Sequence, residues 1–291
     1  MKVHLVDGTY ELFRAHYGAP SSTSPEGMEV GATRGLLRTL LALLRQRDVT
    51  HVACAFDTVI ESFRNEMFAG YKTGEGIEPE LLAQFHLAER AARSLGIVVW
   101  SMIEFEADDA LATAAAKWKK APGVEQIVVC SPDKDLAQCV EGQHVVTWDR
   151  RRNIIRGEEE VISKFGVSPK SIPDWLALVG DRADGIPGVA GWGKKSSALV
   201  LYRYTHLEDI PEDPGQWDVD VSRARHIAST LTEHRQEVQL YRRLATLRTD
   251  VPLVEDLEDL RWNGPNRDEL DSLCEEIGDT ELPSFVPHRL N

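Results

Sequence analysis

Three carboxylates crowd the start of a predicted helix and raise the question of a metal site. Glu106, Asp108 and Asp109 lie within four positions, just before an Ala-rich segment of helical composition. Acids in the first turn of a helix are favoured by its dipole and its free N–H groups, and capping explains one or two of them. Three acids this close repel one another and raise each other's pKa, whereas a bound divalent cation offsets this repulsion.

Six further acids occupy positions that suit the same chemistry. Two of them end predicted strands, two follow a predicted strand, and two are spaced i, i+3, so that they are neighbours on a helical turn. In an open parallel sheet, ligands bind outside the carboxyl ends of the strands, and we therefore expect these acids to meet at one edge. The six are Asp7, Asp57, Asp133, Asp135, Asp181 and Asp184.

Together the nine carboxylates predict a site for more than one hard cation. The set contains no His or Cys, which favours Mg²⁺ or Mn²⁺ over zinc. Two such ions, roughly 3.5–4 Å apart, are the usual apparatus for phosphodiester cleavage. The acids therefore predict metal-dependent hydrolysis of a nucleic acid.

An alternation of strands and helices must position these acids. Apolar runs predict strands at 2–7, 51–57, 97–102, 126–131 and 144–148. Leucine-rich and proline-initiated segments predict helices over 30–47 and 79–96. Continuous apolar strands that alternate with helices indicate an α/β fold, a mainly parallel sheet with helices on both faces. From about residue 160 the pattern becomes helical.

Composition limits the class of protein. Hydrophobic residues make up 42% of the 291 residues, enough for a core, and no apolar run approaches the ~20 residues of a membrane helix. The first residues lack the long apolar stretch of a signal peptide. The four cysteines form no CxxC pair, which favours reduced core cysteines in a cytoplasmic protein.

The net charge of −14 argues against a nucleic-acid partner, because such proteins are usually basic. Nine acids held at a metal site change this interpretation. Without their charge the net value is −5, and a mildly acidic surface can still carry basic patches.

A glycine-rich segment, GIPGVAGWGKKSSALVL (185–201), opens a helix with basic residues. Such a loop resembles a helix–hairpin–helix, in which backbone N–H groups at a helix N-terminus bind a phosphate without reading base sequence. The alternative is an ordinary Gly-rich turn before a capped helix. The residues predicted to contact DNA are Gly191, Gly193, Lys194, Lys195 and Ser196.

Two further basic segments have both a functional and a structural interpretation. In SFRNEMFAGYKT (62–73), Arg64 and Lys72 could hold the scissile phosphate, or they could be solvated loop charges. The segment 231–253 predicts a basic helix, whose arginines suit either DNA contact or salt bridges.

Taken in order, five segments resemble the motifs of bacterial and phage 5′ nucleases, the flap endonuclease family. They are LVDGTYELFRA, AFDTVIESFRNEMFAGYK, FEADDALA, SPDKDL and GDRADGIPGVAGWGKKSSALVL, followed by the late signature LATLRTDVPL. The likeness spans roughly residues 1–255. This family includes the 5′–3′ exonuclease domain of family A DNA polymerases.

The resemblance implies a PIN-like (resolvase-like) core over 1–170, with a mobile arch near 60–90. It implies a helix–three-turn–helix module and a C-terminal helical region over 171–291. All nine acids match the family's metal ligands, Lys72 its catalytic lysine and Arg64 the neighbouring arginine. It also implies two or more Mg²⁺ or Mn²⁺ ions, and it leaves open a potassium ion in the loop GVAGWG.

The implied activity is that of a stand-alone 5′–3′ exonuclease and flap endonuclease in replication or repair. Its expected partner is DNA with a 5′ flap, a nick or a free 5′ end. We expect a monomer in the bacterial cytoplasm, without a membrane partner. The residues 281–291 show no clear clamp-binding motif.

Two departures from the family pattern and two rival functions qualify this interpretation. Gly185 stands where family members often have Asn, and Glu75 stands where a basic residue is common, which weakens phosphate attraction in the arch. One rival is an RNA-directed PIN-type nuclease, although short PIN proteins usually lack the glycine-rich loop. The other is a catalytically weak DNA-structure-binding protein, although none of the acids is missing.

Overall fold

The computed structural model describes residues 1–18 and 20–286, which divide into two compact units. The first unit contains Met1–Ile60, Gly74–Ser131 and the residues from Thr249 onward. The second contains Glu61–Thr73 and Pro132–Arg248. The units interleave along the chain, and the single boundary expected at residue 170 stays a prediction. Residues 287–291, the end of the segment without a clamp motif, lie outside the described residues.

Four parallel strands form the sheet of the first unit: β1 (Lys2–Asp7), β2 (His51–Asp57), β3 (Val98–Met102) and β4 (Gln126–Cys130), in the order β3-β2-β1-β4. Each lies where an apolar run predicted it, and Val3, Leu5 and Val6 of β1 are buried. Parallel pairing puts the carboxyl ends of all four strands at one edge.

Helices of the first unit bury leucine and alanine faces. In the helix Gly31–Leu44 the inward-facing leucines follow helical spacing, and Leu36, Leu37 and Leu40 are fully buried. The helices are α1 (Gly8–Gly18), α2 (Gly31–Leu44), α4 (Pro79–Leu82), α5 (Phe85–Ser94), α6 (Ala107–Trp118), α12 (Arg267–Ile277) and α13 (Leu282–Phe285).

The single helix predicted over 79–96 is two helices, α4 and α5. Between them lies the buried amide of Gln84, which accepts hydrogen bonds from the N–H and hydroxyl of Thr33 at 3.0 and 3.1 Å. The side-chain Nε2 of Gln84 donates to the Glu80 carbonyl at 3.1 Å, while its backbone N–H donates to the Leu81 carbonyl. A side chain thus takes the carbonyl that a continuous helix would use.

The C-terminal residues return to the first unit and are held there by hydrogen bonds. The N–H of Val251 donates to Thr113 Oγ1 at 3.2 Å, and Trp262 Nε1 donates to the Leu95 carbonyl at 2.7 Å. Further along, Arg34 Nε donates to the Ile277 carbonyl at 3.1 Å. Residues 249–286 therefore form part of the first unit's structure.

The second unit is mainly helical and has its own core. Its helices are α3 (Phe63–Met67), α7 (Glu158–Phe165), α8 (Ile172–Val179), α9 (Lys194–Tyr204), α10 (Ala224–Glu233) and α11 (Arg235–Ala245). Trp175, Trp192 and Trp217 are buried in this core. The two strands β5 (Val145–Asp149) and β6 (Ile154–Arg156) pair antiparallel, and β6 was not predicted from the sequence.

Two smaller expectations concern cysteines and membranes. Cys54, Cys130 and Cys274 are buried, as expected for core residues. Within residues 1–18 and 20–286, every helix falls short of the length and apolar character that a membrane crossing needs.

Candidate metal centre and DNA-contacting loop

Three of the nine predicted ligands come together in the second unit. Among the described residues, Asp135, Asp181 and Asp184 each offer a carboxylate oxygen within 4.8 Å of the others. We call these three residues the carboxylate triad. The first two side chains are buried and the third is partly exposed. Solvent therefore reaches part of the Asp184 side chain.

Local backbone structure places the triad. Asp135 begins a short 3₁₀ helix, Asp135–Cys139, where its N–H donates to Asp133 Oδ1 at 2.8 Å. After α8, Asp181 and Ile186 exchange two backbone hydrogen bonds of 2.8 and 2.7 Å, which close a tight loop. Within that loop Asp184 returns toward Asp181. The i, i+3 spacing seen in the sequence thus acts through a loop instead of a helical turn.

Asp135 is the acid of the triad whose charged form is strongly disfavoured by its surroundings. Its burial raises the pKa of its carboxyl well above the usual value, and the charges of Asp133 and Asp184 raise it further. Within the described part of the chain, its buried Oδ1 has no hydrogen-bond partner. A buried carboxylate oxygen without a donor is an unfavourable arrangement unless a cation binds it.

Two lysines offset part of this negative charge. Lys134 forms an ion pair with Asp181, and Lys72 Nζ lies 3.2 Å from Asp184 Oδ1. Burial alone would lower the pKa of Lys134, but the charges of Asp135 and Asp181 outweigh burial and raise this pKa. Sequence reasoning did not single out Lys134, although its place between Asp133 and Asp135 was a usable signal.

The triad fits a divalent metal ion. All three donors are hard carboxylate oxygens, the ligand type that Mg²⁺ and Mn²⁺ prefer. The buried Oδ1 of Asp135 supplies a ligand atom that no protein group in the described residues satisfies. The donor set and its burial therefore suit a hard divalent cation, while the identity and number of the ions stay predictions.

We expect Asp135 to make metal-free protein less stable as pH rises. The folded state holds the Asp135 proton more tightly than the unfolded chain, whose pKa is about 3.9. Its stabilising contribution is thus complete below that pKa and is lost as pH rises through the folded value. Asp135→Asn removes the charge, so its thermal midpoint in EDTA should rise relative to wild type as pH increases. The exposed Asp220→Asn is the control, and a constant difference for Asp135→Asn would contradict this account.

Lys72 and Arg64 occupy different environments within the second unit. The N–H of Lys72 donates to the Asp184 carbonyl at 3.1 Å, which brings its ammonium to the triad. Arg64 is buried, and it donates from Nε to the Leu244 carbonyl at 2.8 Å and from Nη2 to the Thr246 carbonyl at 3.1 Å. Arg64 thereby satisfies carbonyls at the end of α11, and its predicted catalytic role stays a prediction.

The remaining acids after strands show individual contacts. Asp133 is exposed, and its carboxylate accepts the N–H of Asp135. Asp7 is buried at the end of β1, where it accepts from the Tyr10 N–H and from Ser131 Oγ, both at 2.8 Å. The first contact ties it to α1 and the second to the end of β4.

Asp57 and the three opening acids meet at the start of α6. Asp57 Oδ1 accepts from the Ala107 N–H at 2.7 Å, which joins the end of β2 to this helix. Asp109 is fully buried and accepts from the Glu106 N–H at 3.0 Å, so it caps the helix. Glu106 is buried and Asp108 partly exposed. The structure thus groups these acids at one edge of the first unit's sheet, and their role as metal ligands stays a prediction.

The predicted DNA-contacting loop joins α8 to α9. Gly191 has φ +86°, a left-handed conformation that favours glycine, and the buried Trp192 anchors the loop by donating to the Ile227 carbonyl at 2.9 Å. Ser196 Oγ accepts from the Gly193 N–H at 3.0 Å. Lys194 and Lys195 are exposed in the first turn of α9. The loop therefore presents a helix N-terminus and two ammonium groups to solvent.

We expect Lys195→Ala to weaken duplex binding equally for all base sequences. A phosphate contact releases counterions, so the slope of log affinity against log salt should shrink by about one unit or less. Binding should be measured in Ca²⁺ at several salt concentrations, with the exposed Lys170→Ala as control. An unchanged affinity, or a loss that depends on base sequence, would show that Lys195 does not bind the backbone.

Two arginines of the predicted basic helix form ion pairs within the protein. Arg242 Nη1 lies 3.2 Å from Asp174 Oδ1 and also forms an ion pair with Glu208 at 2.5 Å. Arg235 pairs with Glu212 at 3.1 Å. For these two arginines the contacts favour the salt-bridge interpretation.

Comparison with known proteins gives two matches of family models that are consecutive along the chain. The 5′–3′ exonuclease N-terminal resolvase-like domain matches residues 2–166. The 5′–3′ exonuclease C-terminal SAM-fold domain matches residues 167–268. Both the resolvase-like α/β fold and the helical second domain agree with the predicted fold class.

Curated relatives include both long and short proteins. The chain is 34% identical over 282 residues to DNA polymerase I of Pseudomonas aeruginosa, and it covers 30% of that protein's length. It is 28% identical over 285 residues to the 5′–3′ exonuclease of Aquifex aeolicus, and this match covers 98% of the chain and 93% of the relative. The chain thus spans about a third of the polymerases that it matches.

A solved structure shares the fold. The flap endonuclease of bacteriophage T5, in a pseudo-enzyme–product complex with DNA and metal ions, matches with a TM-score of 0.65 at 18% identity. The match covers 98% of this chain and 100% of the phage protein. With its motifs, its fold and both family domains in agreement, the chain belongs to the 5′–3′ exonuclease family.

Proposed function

We propose that this chain is a structure-specific 5′ nuclease, a 5′–3′ exonuclease and flap endonuclease that hydrolyses DNA phosphodiesters in replication or repair. The observation that carries the proposal is the carboxylate triad with the ammonium of Lys72 beside it. Family membership supports the reaction, and the exposed loop before α9 supports DNA as the partner.

Within this proposal, Asp135, Asp181 and Asp184 would hold a Mg²⁺ or Mn²⁺ ion, which supplies positive charge to the reacting phosphate. The acids of the first unit, Asp7, Asp57, Glu106, Asp108 and Asp109, are proposed as ligands of further ions, together with Asp133. A potassium ion in the loop before α9 stays a prediction of the family resemblance.

The chain's own cations then bind and orient the substrate. An ammonium carries three donors, so Lys72 can bind a phosphate oxygen while it remains beside Asp184. Negative charge that builds on that oxygen in the transition state strengthens the contact. Lys134 stays paired with Asp181 and reduces the repulsion that an incoming phosphate meets. Lys194 and Lys195 bind the backbone of the duplex at a distance from the reacting bond.

We propose DNA with a 5′ flap, a nick or a free 5′ end as substrate, and a monomeric enzyme in the bacterial cytoplasm. The test uses labelled flap, nicked and single-stranded DNA and a matched RNA flap, each with Mg²⁺, Mn²⁺ or EDTA. Cleavage near the 5′ end of the flap that requires the divalent ion would support the proposal. Equal cleavage of RNA would favour the RNA-directed alternative, and binding without cleavage would favour a DNA-structure-binding protein.

A further inference from the structure

The backbone of Lys72 is held on both sides by groups of the second unit. Its N–H donates to the Asp184 carbonyl at 3.1 Å, and its carbonyl accepts from Asn65 Nδ2 at 2.9 Å. We propose that Asn65 and Gly185 are positioning residues that fix the Lys72 ammonium beside the carboxylate triad. The inference rests on the proposed function, because it assigns these residues to the same reaction.

Gly185 allows the segment that carries Lys72 to approach the triad. It has φ +75°, and a Cβ at this position would lie 2.0 Å from the Gly70 carbonyl oxygen and 3.5 Å from Tyr71 Cα. No side chain fits there without moving Gly70–Lys72 away from Asp184. The glycine that departs from the common Asn of the family therefore has a steric reason in this chain.

Asn65 fastens the same segment from the opposite end. Its Oδ1 accepts from the Ser62 N–H at 2.8 Å, which caps α3, while its Nδ2 donates to the Lys72 carbonyl. One amide thus joins the start of α3 to Lys72. Aspartate at this position could keep the cap but could not donate to the carbonyl, so Asn65→Asp separates the two contacts.

Two variants test the proposal, Gly185→Asn and Asn65→Asp, each alone and combined with Lys72→Ala. Asn tolerates positive φ better than most residues, so Gly185→Asn mainly introduces the steric clash. We expect each single variant to lower the single-turnover rate at saturating flap DNA by about tenfold to a hundredfold. Affinity for flap DNA in Ca²⁺ should change by less than about threefold, because the Lys72 ammonium that these residues position stabilises the transition state more than the bound substrate. In the Lys72→Ala background, neither change should lower the rate much further.

Further measurements separate positioning from general damage. Gly142→Ala is the matched control, because Gly142 lies in the same unit at φ +53° with open space around its Cβ position. It should retain the wild-type rate. Thermal midpoints show whether the variants fold, and calorimetric Mn²⁺ binding without DNA should match wild type. The ¹³C-methyl NMR signal of methylated Lys72, assigned with Lys72→Ala, should shift in both variants and stay in place in Gly142→Ala.

The outcomes distinguish this inference from the proposed function. The inference is overturned if Gly185→Asn and Asn65→Asp lower Mn²⁺ affinity, because they would then act on the carboxylate triad. It is also overturned if their losses in rate multiply with the loss caused by Lys72→Ala. Wild-type rates in both variants, with a large loss in Lys72→Ala, would also overturn it and leave the function intact. If wild-type protein does not cleave DNA, the function fails, and the NMR shifts alone decide whether Asn65 and Gly185 position Lys72.

Discussion

Asp181→Asn is expected to lower single-turnover cleavage in Mg²⁺ by several orders of magnitude. Asparagine keeps the shape of the side chain and the acceptor for the Ala183 N–H, which lies at 3.0 Å. It removes the charge that a metal ion needs from the triad and the partner of Lys134. The loss should therefore appear in the chemical step and in metal affinity, while the fold is retained.

This expectation is checked by quenched-flow cleavage of a labelled flap and by calorimetric Mn²⁺ titration. Asp133→Asn should also lower the cleavage rate, because Asp133 is a predicted metal ligand and accepts a hydrogen bond from the N–H of Asp135. Asp220→Asn, on an exposed position, serves as control. Undiminished cleavage in both Asp181→Asn and Asp133→Asn, or full activity of wild type in EDTA, would remove the metal hypothesis.

Lys72→Ala is expected to lower the single-turnover rate by a factor on the order of a hundred or more, like the loss of one oxyanion donor. The reason is its place 3.2 Å from Asp184, where its ammonium can meet negative charge that builds in the transition state. An interaction that strengthens at that moment raises the rate, whereas one equal in ground and transition states only tightens binding. Flap affinity in Ca²⁺ should therefore fall far less than the rate.

Glu75 provides a companion variant for the same experiment. It is an exposed acid three residues after Lys72, where a basic residue is common in the family. Glu75→Arg should tighten flap binding through added phosphate attraction, yet it should not restore the rate of Lys72→Ala. If Lys72→Ala binds poorly but cleaves normally once saturated, Lys72 only steers the substrate.

The sequence was sufficient for the parallel strands because three of them, β1, β2 and β4, are buried on both faces along almost their whole length. Such strands read as continuous apolar runs, and β1, β2, β3 and β4 lie within a residue or two of their predicted limits. β6 is only three residues long, Ile154–Arg156, and two of its side chains are exposed, so it had no such run. The division of α4 from α5 depends on Gln84 and Thr33, which are 51 positions apart.

The site was predictable in its residue types and less so in its geometry. Topology brings acids to strand ends, but it does not show that Asp135, Asp181 and Asp184 approach within 4.8 Å. That distance depends on the packing of the 3₁₀ helix Asp135–Cys139 beside the loop that Asp181 and Ile186 close. Arg64 illustrates the limit of charge as a guide, because an arginine in a polar segment is usually exposed, and here carbonyls at the end of α11 accept its hydrogen bonds.

The return of residues 249–286 to the first unit has a consequence for synthesis on the ribosome. Thr113 and Leu95 emerge early, whereas their hydrogen-bond partners Val251 and Trp262 emerge only after the whole of Pro132–Arg248. At roughly 5–20 residues per second, this interval lasts on the order of ten seconds. During that time the nascent first unit lacks the groups that bind Thr113 on α6 and the Leu95 carbonyl at the end of α5. Folding of this unit is thus expected to finish only as translation ends, and a nascent chain stalled before residue 249 would be a substrate for chaperones and proteases.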